Sequence, residues 1–176
     1  MFYKRKLWTE NLSPGHFFVW NESIASRGSD EICSCLNKYL EEHDIQGDTL
    51  IAISDNCSGQ NKNCNLITFW MYVIAKGCFL TIEHHFPLSG HSMLPCDRNV
   101  RQHVQHVYTP QDWAEILKKC DRNKPFCVHE MHSDDFLQFS DIKKLFCQRN
   151  VTEEGYKVVL RNVVHVCTQV DTTRPP

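Results

Sequence analysis

Two short polar segments of the chain hold the residues best suited to chemistry. The first, at 54–63, reads Ser-Asp-Asn-Cys-Ser-Gly-Gln-Asn-Lys-Asn and follows an apolar run rich in β-branched residues. Such a run predicts a buried strand, and an acid just after it lies at the carboxyl edge of a sheet, where open α/β sheets bind their ligands. A simpler interpretation is open, because Asp55 and Asn56 can also form an Asx turn and cap the next helix.

The second segment, at 89–98, follows another predicted strand and places Asp97 six residues after His91. Asp97 stands at the start of a predicted helix, so its carboxylate can bind a ligand or simply interact with the helix dipole, an effect of about 0.3–1 kcal/mol. His91 can act in a site or hydrogen-bond the backbone of its own loop. A hydrolase pair of Cys96 and His91 is conceivable, but nothing in the sequence marks an oxyanion hole or a third residue to orient the histidine.

Strands and helices alternate along the chain in the pattern of an α/β fold. The run at 49–53 is typical of a central strand buried on both faces, and 66–75 is apolar nearly all round, as in a buried helix that ends at Gly77. Ser29 is expected to cap one helix, and Thr109 to cap another that runs to about Lys119. Further strands are predicted at 7–12, 16–20, 79–86, 126–131 and 157–166, and further helices at 97–106 and 140–146.

Length and charge restrict the possible classes of protein. The 176 residues fit one domain, expected at 1–170 and followed by a disordered tail at 171–176. A formal net charge of −2 gives no overall electrostatic preference for nucleic acid or for an anionic membrane. The longest apolar stretch, 66–75, is too short to cross a bilayer.

The start of the sequence lacks the apolar segment of a signal peptide, so the chain is expected to be intracellular, either nuclear or cytoplasmic. Its ten cysteines are then expected to be reduced thiols. They form no Cys-x-x-Cys pair, and the histidines show no zinc-finger spacing, which disfavours a structural zinc site.

Together, the two polar segments resemble a ribonuclease-H-like domain, otherwise uncharacterised, of transposon-derived animal proteins. That family carries Asp-Asn-Cys-x-Gly-Gln-Asn-Lys-Asn after a strand and later Gly-His-Ser-x-x-x-x-Asp-Arg, which match 55–63 and 90–98 here. The segments 2–8, 20–28 and 31–36 are also similar. The resemblance therefore covers most of the chain up to about Trp113.

The resemblance implies a ribonuclease-H-like mixed sheet flanked by helices. In that fold, acids from the first strand, the fourth strand and a later helix hold two divalent metals for phosphodiester cleavage or strand transfer. Asp55 matches the fourth-strand acid and Asp97 the helix acid. The residues expected to support these two metal ligands are His91, Asn56, Gln60 and Asn61.

The physics of paired acids agrees with a metal. Two carboxylates about 4 Å apart would repel by roughly 4 kcal/mol at an effective dielectric constant near 20, so they need a cation or a shared proton. Mg²⁺ or Mn²⁺, held by carboxylates and water, is the expected cofactor. DNA or RNA is the expected partner.

The chain departs from the family pattern at its start. In the family, an Asp-bearing strand precedes the segment that matches 2–8, whereas here Met1 stands directly before that segment. The expectation is a member that lacks its first strand and its first metal-binding acid, and that is inactive or severely impaired as a nuclease. The alternative is a non-enzymatic module that keeps the fold and binds protein or nucleic acid.

Overall fold

The structure is a computed structural model. It describes residues 2–7, 15–45, 47–87, 109, 112, 115–117, 126–145, 151–152 and 154–170, with the backbone alone at 2–7. Several predicted features lie outside the described residues: His91, Asp97, the helix at 97–106 and the tail at 171–176. The chain divides into two compact units, one formed by 1–27 and 93–136 and the other by 28–92 and 137–176.

The first unit contains a three-stranded sheet. Strand β1 (Phe2–Leu7) pairs antiparallel with β2 (His16–Asn21), and β2 pairs parallel with β5 (Cys127–Glu130). Of the strand predicted at 7–12, only Leu7 is among the described residues, and it ends β1, whereas β2 and β5 lie where the sequence predicts them.

Side chains of β2 form the core of this unit. Phe17 and Val19 pack with Leu117 and Phe126, and the rings of Phe17 and Phe126 meet edge-on at 5.0 Å. Trp20 is also buried, and its indole N–H donates to the carbonyl of Ser26 at 2.8 Å. Strand β2 lies between β1 and β5 and is the central strand of its sheet, and every residue from His16 to Trp20 is buried.

The helix predicted to begin at Thr109 is described only in part. The Thr109 hydroxyl accepts from the backbone N–H of Asp112 at 3.1 Å, and the Asp112 carboxylate accepts from the N–H of Thr109 at 2.8 Å. This reciprocal pair is a capping box, and residues 112 and 115–117 are helical. The prediction of Thr109 as the cap is confirmed.

The second unit contains the other three-stranded sheet. Strand β3 (Gly47–Ile53) pairs parallel with β4 (Phe79–His85), and β4 pairs antiparallel with β6 (His165–Gln169). Helix α1 (Ser29–Glu42) precedes β3, and α2 (Cys64–Ala75) connects β3 to β4. A crossover helix is the usual connection between parallel strands. The chain is therefore mixed α/β, as the sequence predicts.

Helix α2 supplies most of the core of the second unit. Phe69 and Trp70 are buried with Ile82 of β4, and the Phe69 ring meets that of Phe139 edge-on at 5.0 Å. Gly77 follows the helix with a φ of 78°, a left-handed conformation that favours glycine after a helix end. The predicted buried helix and its terminal glycine are confirmed.

Helix α1 begins one residue earlier than predicted. Gly28, not Ser29, is the N-cap, and its N–H donates to the carboxylate of Glu31 at 2.8 Å. Ser29 is the first helical residue, and its hydroxyl accepts from the side-chain amide of Asn65 at 2.9 Å. The residue type of Ser29 suits a cap, but the cap is Gly28, whose backbone N–H is satisfied by Glu31 three residues later, as in a capping box.

The prediction that β3 is buried on both faces is wrong. Leu50 and Ala52 pack against the core, whereas Ile51 and Ile53 are 62% and 56% exposed. Successive strand residues point to opposite faces, and the core that α2 helps to form covers only one of them. An apolar run therefore did not mean burial on both sides here.

The end of the chain also differs in part from the prediction. In place of the strand predicted at 157–166, Lys157 forms an isolated bridge with Val151, and Leu160–Asn162 is a 3₁₀ turn. Strand β6 begins only at His165. In the turn, the N–H of Val163 donates to the carbonyl of Leu160 at 3.1 Å, which closes the backbone and interrupts a strand despite the valines. The short helix predicted at 140–146 is present as Phe139–Ile142, followed by a 3₁₀ turn at Lys143–Leu145.

No helix in the described part of the chain is long and apolar enough to cross a membrane. The prediction of a single domain at 1–170 stays a prediction.

Phe69→Ala should lower the free energy of unfolding by about 3–5 kcal/mol, because the ring is fully buried and its removal leaves a cavity. Ile51→Ala is the control, since its side chain is exposed on the open face of the sheet and its loss should cost no more than about 0.5 kcal/mol. Urea denaturation followed by circular dichroism measures both values. Equal losses in the two variants would contradict the assigned core.

Candidate functional site

The polar segment at 54–63 forms the loop between β3 and α2. The carbonyl of Cys57 accepts from the backbone N–H groups of Gln60, Asn61 and Lys62, at 3.2, 2.8 and 3.0 Å. The side chain of Asn63 then caps α2 by accepting from the N–H of Leu66 at 3.1 Å. Backbone hydrogen bonds thus fold the loop tightly before the helix begins.

Asp55 is exposed at the carboxyl end of β3. Its Oδ1 accepts from the backbone N–H of Cys57 at 3.1 Å and from the side-chain amide of Asn61. The first of these bonds is an Asx turn, so the simpler interpretation of Asp55 describes its local conformation correctly. Oδ2 has no hydrogen-bond partner among the described residues.

Asn61 is the residue that makes this turn unusual. Its side chain is 1% exposed, although most asparagines lie at the surface. A buried amide therefore holds the Asp55 carboxylate in one orientation while the carboxylate itself stays in contact with solvent. An Asx turn alone requires no such support.

Asn56 and Lys62 connect the loop to two other segments. The Asn56 amide donates to the carbonyl of Pro87, and its Oδ1 accepts from Lys62 Nζ at 3.0 Å. Lys62 Nζ also donates to the carbonyl of Arg161 at 2.9 Å and lies 5.3 Å from the centre of the Phe86 ring. The ammonium group is nearly buried, and these polar and aromatic contacts offset the loss of water around it.

A buried chain of hydrogen bonds supports the backbone at Asp55. The indole N–H of Trp70 donates to His84 Nδ1 at 3.1 Å, and His84 Nε2 lies 2.9 Å from the Ser54 hydroxyl. Because an indole can only donate, Nδ1 must be unprotonated and Nε2 carries the imidazole proton. The Ser54 hydroxyl in turn donates to the Asp55 carbonyl at 3.2 Å. The position of Asp55 is thus connected to the core of the second unit.

The structure brings some of the predicted site residues together and separates others. It brings Asp55 and Asn61 together, puts Gln60 in the backbone turn, and directs Asn56 toward Pro87 and Lys62. Asp97 and His91 lie outside the described residues, so their association with Asp55 stays a prediction. Sequence reasoning missed four supporting residues, namely Ser54, Lys62, Trp70 and His84.

Chemically, the loop offers one exposed carboxylate with one oxygen available. An oxygen ligand of this type suits a hard divalent cation such as Mg²⁺ or Mn²⁺. Asn56 is a poor second ligand, because its carbonyl oxygen already accepts from Lys62.

The described cysteines differ sharply in environment. Cys33 is fully buried, and burial, with a smaller contribution from the charge of Asp30, raises the pKa of its thiol far above the usual range. Cys57 in the loop and Cys167 on β6 are exposed. The thiolate is the reactive form, so Cys33 is expected to be inert at neutral pH.

Asn61→Ala should destabilise the protein by about 1–3 kcal/mol, because it removes the hydrogen bond made by a buried amide and leaves a small cavity. Ser58→Ala is the matched control, an exposed residue of the same loop, and should change stability by no more than about 0.5 kcal/mol. Urea denaturation of the two variants gives the comparison. A neutral Asn61→Ala would show that the amide does not support the loop.

Native protein treated with iodoacetamide should be alkylated at Cys57 and Cys167 well before Cys33. Mass spectrometry of a time course, with a urea-denatured sample as the control for full reactivity, measures the rates. If Cys33 reacted as fast as Cys57 in the native protein, its assigned burial would be wrong.

The comparisons with known proteins give one family. Neither a curated protein nor a solved structure matches the chain. Residues 10–159 match a family described as a domain of unknown function, DUF7869. That match spans the loop with Asp55 and covers most of the sequence, and the chain belongs to the DUF7869 family.

Proposed function

We propose that the chain is a ribonuclease-H-like domain of transposase or integrase descent, in which Asp55 is a ligand for a divalent metal used in phosphodiester chemistry on DNA or RNA. The observation that carries the proposal is the exposed Asp55 carboxylate, oriented by the buried Asn61 at the carboxyl end of a parallel strand. Ligands of open α/β sheets bind at that position. The location of the protein is then nuclear or cytoplasmic.

The residues around Asp55 fit the role of holding one metal ligand. Oδ1 is fixed by two donors, so Oδ2 is the oxygen that would coordinate the ion. Mg²⁺ or Mn²⁺, when bound, would supply the charge that activates water or a 3′-hydroxyl and stabilises the phosphate. Asp97 is the second proposed ligand, and His91 is proposed to support it.

We expect this activity to be absent or severely impaired. Asn56, the neighbouring residue with a suitable oxygen, is committed to Lys62. Lys62 is itself held by Arg161 and Phe86, so releasing Asn56 would leave a nearly buried ammonium with fewer partners. The loop at 54–63 therefore offers the ion a single carboxylate, that of Asp55.

The second candidate function is a non-enzymatic module that binds a protein partner. The sheet of the second unit favours it, because β3 pairs only with β4 among the described strands and its outer edge carries backbone groups able to accept another strand. Ile51 and Ile53 on this strand add exposed apolar surface. Strand addition from a partner would pair with the free backbone groups of this edge, and side chains of the added strand would pack beside Ile51 and Ile53.

Millimolar Mn²⁺ should raise the melting temperature of the native chain, because a ligand that binds only the folded state stabilises it by mass action. Asp55→Asn should remove this shift, since the amide keeps an oxygen that can accept the two hydrogen bonds but loses the charge that holds the ion. Ser58→Ala is the control and should respond as the native chain does. A native chain that does not respond to Mn²⁺ or Mg²⁺ contradicts Asp55 as a metal ligand.

The same proteins, incubated with labelled single- and double-stranded DNA and RNA and Mn²⁺, should give little or no cleavage. Strong cleavage that disappears in Asp55→Asn would overturn the expected impairment while supporting the metal-binding role. A metal-independent complex with nucleic acid or protein, unchanged in Asp55→Asn, would favour the non-enzymatic module.

A further inference from the structure

The face of the second sheet opposite its core carries a group of side chains that the Asp55 loop does not use. Strand alternation directs Glu83 and His85 of β4 to this face, whereas Ile82 and His84 are buried on the other. In the pairing of β4 with β6, His85 lies opposite His165. Directly opposed residues of an antiparallel pair lie close enough for their side chains to meet.

Three possible ligand atoms come together here. His85 Nε2 lies 3.2 Å from Glu83 Oε2, and His165 Nε2 lies 3.8 Å from the same oxygen. The rings of His85 and His165 are stacked, with centres 4.3 Å apart and planes 15° from parallel. One ligand atom of each residue lies within 4.8 Å of the others.

These separations are close to those of a metal site. With metal–nitrogen and metal–oxygen bonds of about 2.0–2.2 Å, neighbouring ligand atoms of a tetrahedral ion are about 3.3 Å apart. Two of the three described distances are 3.2 and 3.8 Å, so small side-chain rotations would admit an ion. The strands fix the backbone positions of all three ligands, which limits the entropy lost on binding.

We propose that Glu83, His85 and His165 form a binding site for a divalent transition metal ion, with Zn²⁺ as the ion to test first. Two imidazoles and one carboxylate suit Zn²⁺, Fe²⁺, Co²⁺ or Ni²⁺, whereas Mg²⁺ prefers oxygen ligands alone. The three side chains are 36–42% exposed, so an ion can reach them from solvent. Three protein ligands leave a coordination position open for water or for a small ligand.

This site goes beyond the proposed function and depends on different residues. Cys167 lies opposite Glu83 in the same register and is exposed, so its thiol must be tested as a rival ligand. Co²⁺ distinguishes the two cases, because nitrogen and oxygen ligands give weak visible bands while a thiolate adds an intense charge-transfer band in the near ultraviolet.

The experiment titrates the full chain with Zn²⁺ by calorimetry, in a non-thiol reductant, and repeats the titration with Co²⁺ by absorption. The native chain should bind one equivalent. Loss of a residue that merely orients a ligand weakens metal binding by about 10–100-fold, so loss of a ligand in His85→Ala, His165→Ala or Glu83→Gln should weaken it by at least about tenfold. Circular dichroism checks that each variant is folded, which is expected because the replaced side chains are partly exposed.

The control variants are His132→Ala, an exposed histidine outside the cluster, and Ser58→Ala, an exposed residue of the loop at 54–63; both should bind Zn²⁺ like the native chain. An excess of Mg²⁺ should not displace the ion. Unsaturable binding, equal affinity in His165→Ala and His132→Ala, or binding lost in Cys167→Ser but kept in His85→Ala would each overturn the proposal. A missing Mn²⁺ response in a chain that still binds Zn²⁺ would count against the proposed function alone.

Discussion

The packing of α2 against β4 is the interaction on which the second unit depends. Trp70 contributes to it twice, because its ring is buried in the core and its indole N–H donates to His84. Through Ser54, this hydrogen bond reaches the backbone of Asp55. The stability of the core and the position of the exposed carboxylate therefore depend on the same contact. A polar group buried this deeply is tolerated because its hydrogen-bonding atoms have partners.

Much of the second unit could be predicted from sequence, because its signals are local. The apolar run of α2, the left-handed Gly77 and the polar loop at 54–63 are each visible within a window of about one element. The error at β3 has a different origin. An apolar strand residue such as Ile51 looks the same in sequence whether or not a second layer covers it, so burial on both faces cannot be read from one strand alone.

The candidate site was predictable to a similar extent and for the same reason. Asp55 and Asn61 belong to one short polar loop, so their residue types and spacing were enough to predict them as site residues. A lysine in a polar loop is usually interpreted as a solvated surface charge. Lys62 is instead nearly buried, and its ammonium group donates to the carbonyl of Arg161, which lies 99 residues later in the sequence. His165 lies in a region where the strand was predicted with the wrong bounds, and it meets His85 only through the register of β4 with β6. The proximity of His165 to His85 depends on the pairing of strands far apart in the sequence, which cannot be predicted from one sequence alone.

The two consecutive histidines of β4 show how much depends on that register. His84 faces the core and supports the loop of Asp55, while His85 faces solvent beside Glu83. Because side chains alternate with a period of two, inserting or deleting one residue near the start of β4 would exchange their surroundings. One imidazole would lose its partners in the core and the other would leave the open face. A change in chain length by a single residue would thus damage both faces of the sheet at once, so β4 should tolerate substitutions far better than changes in length.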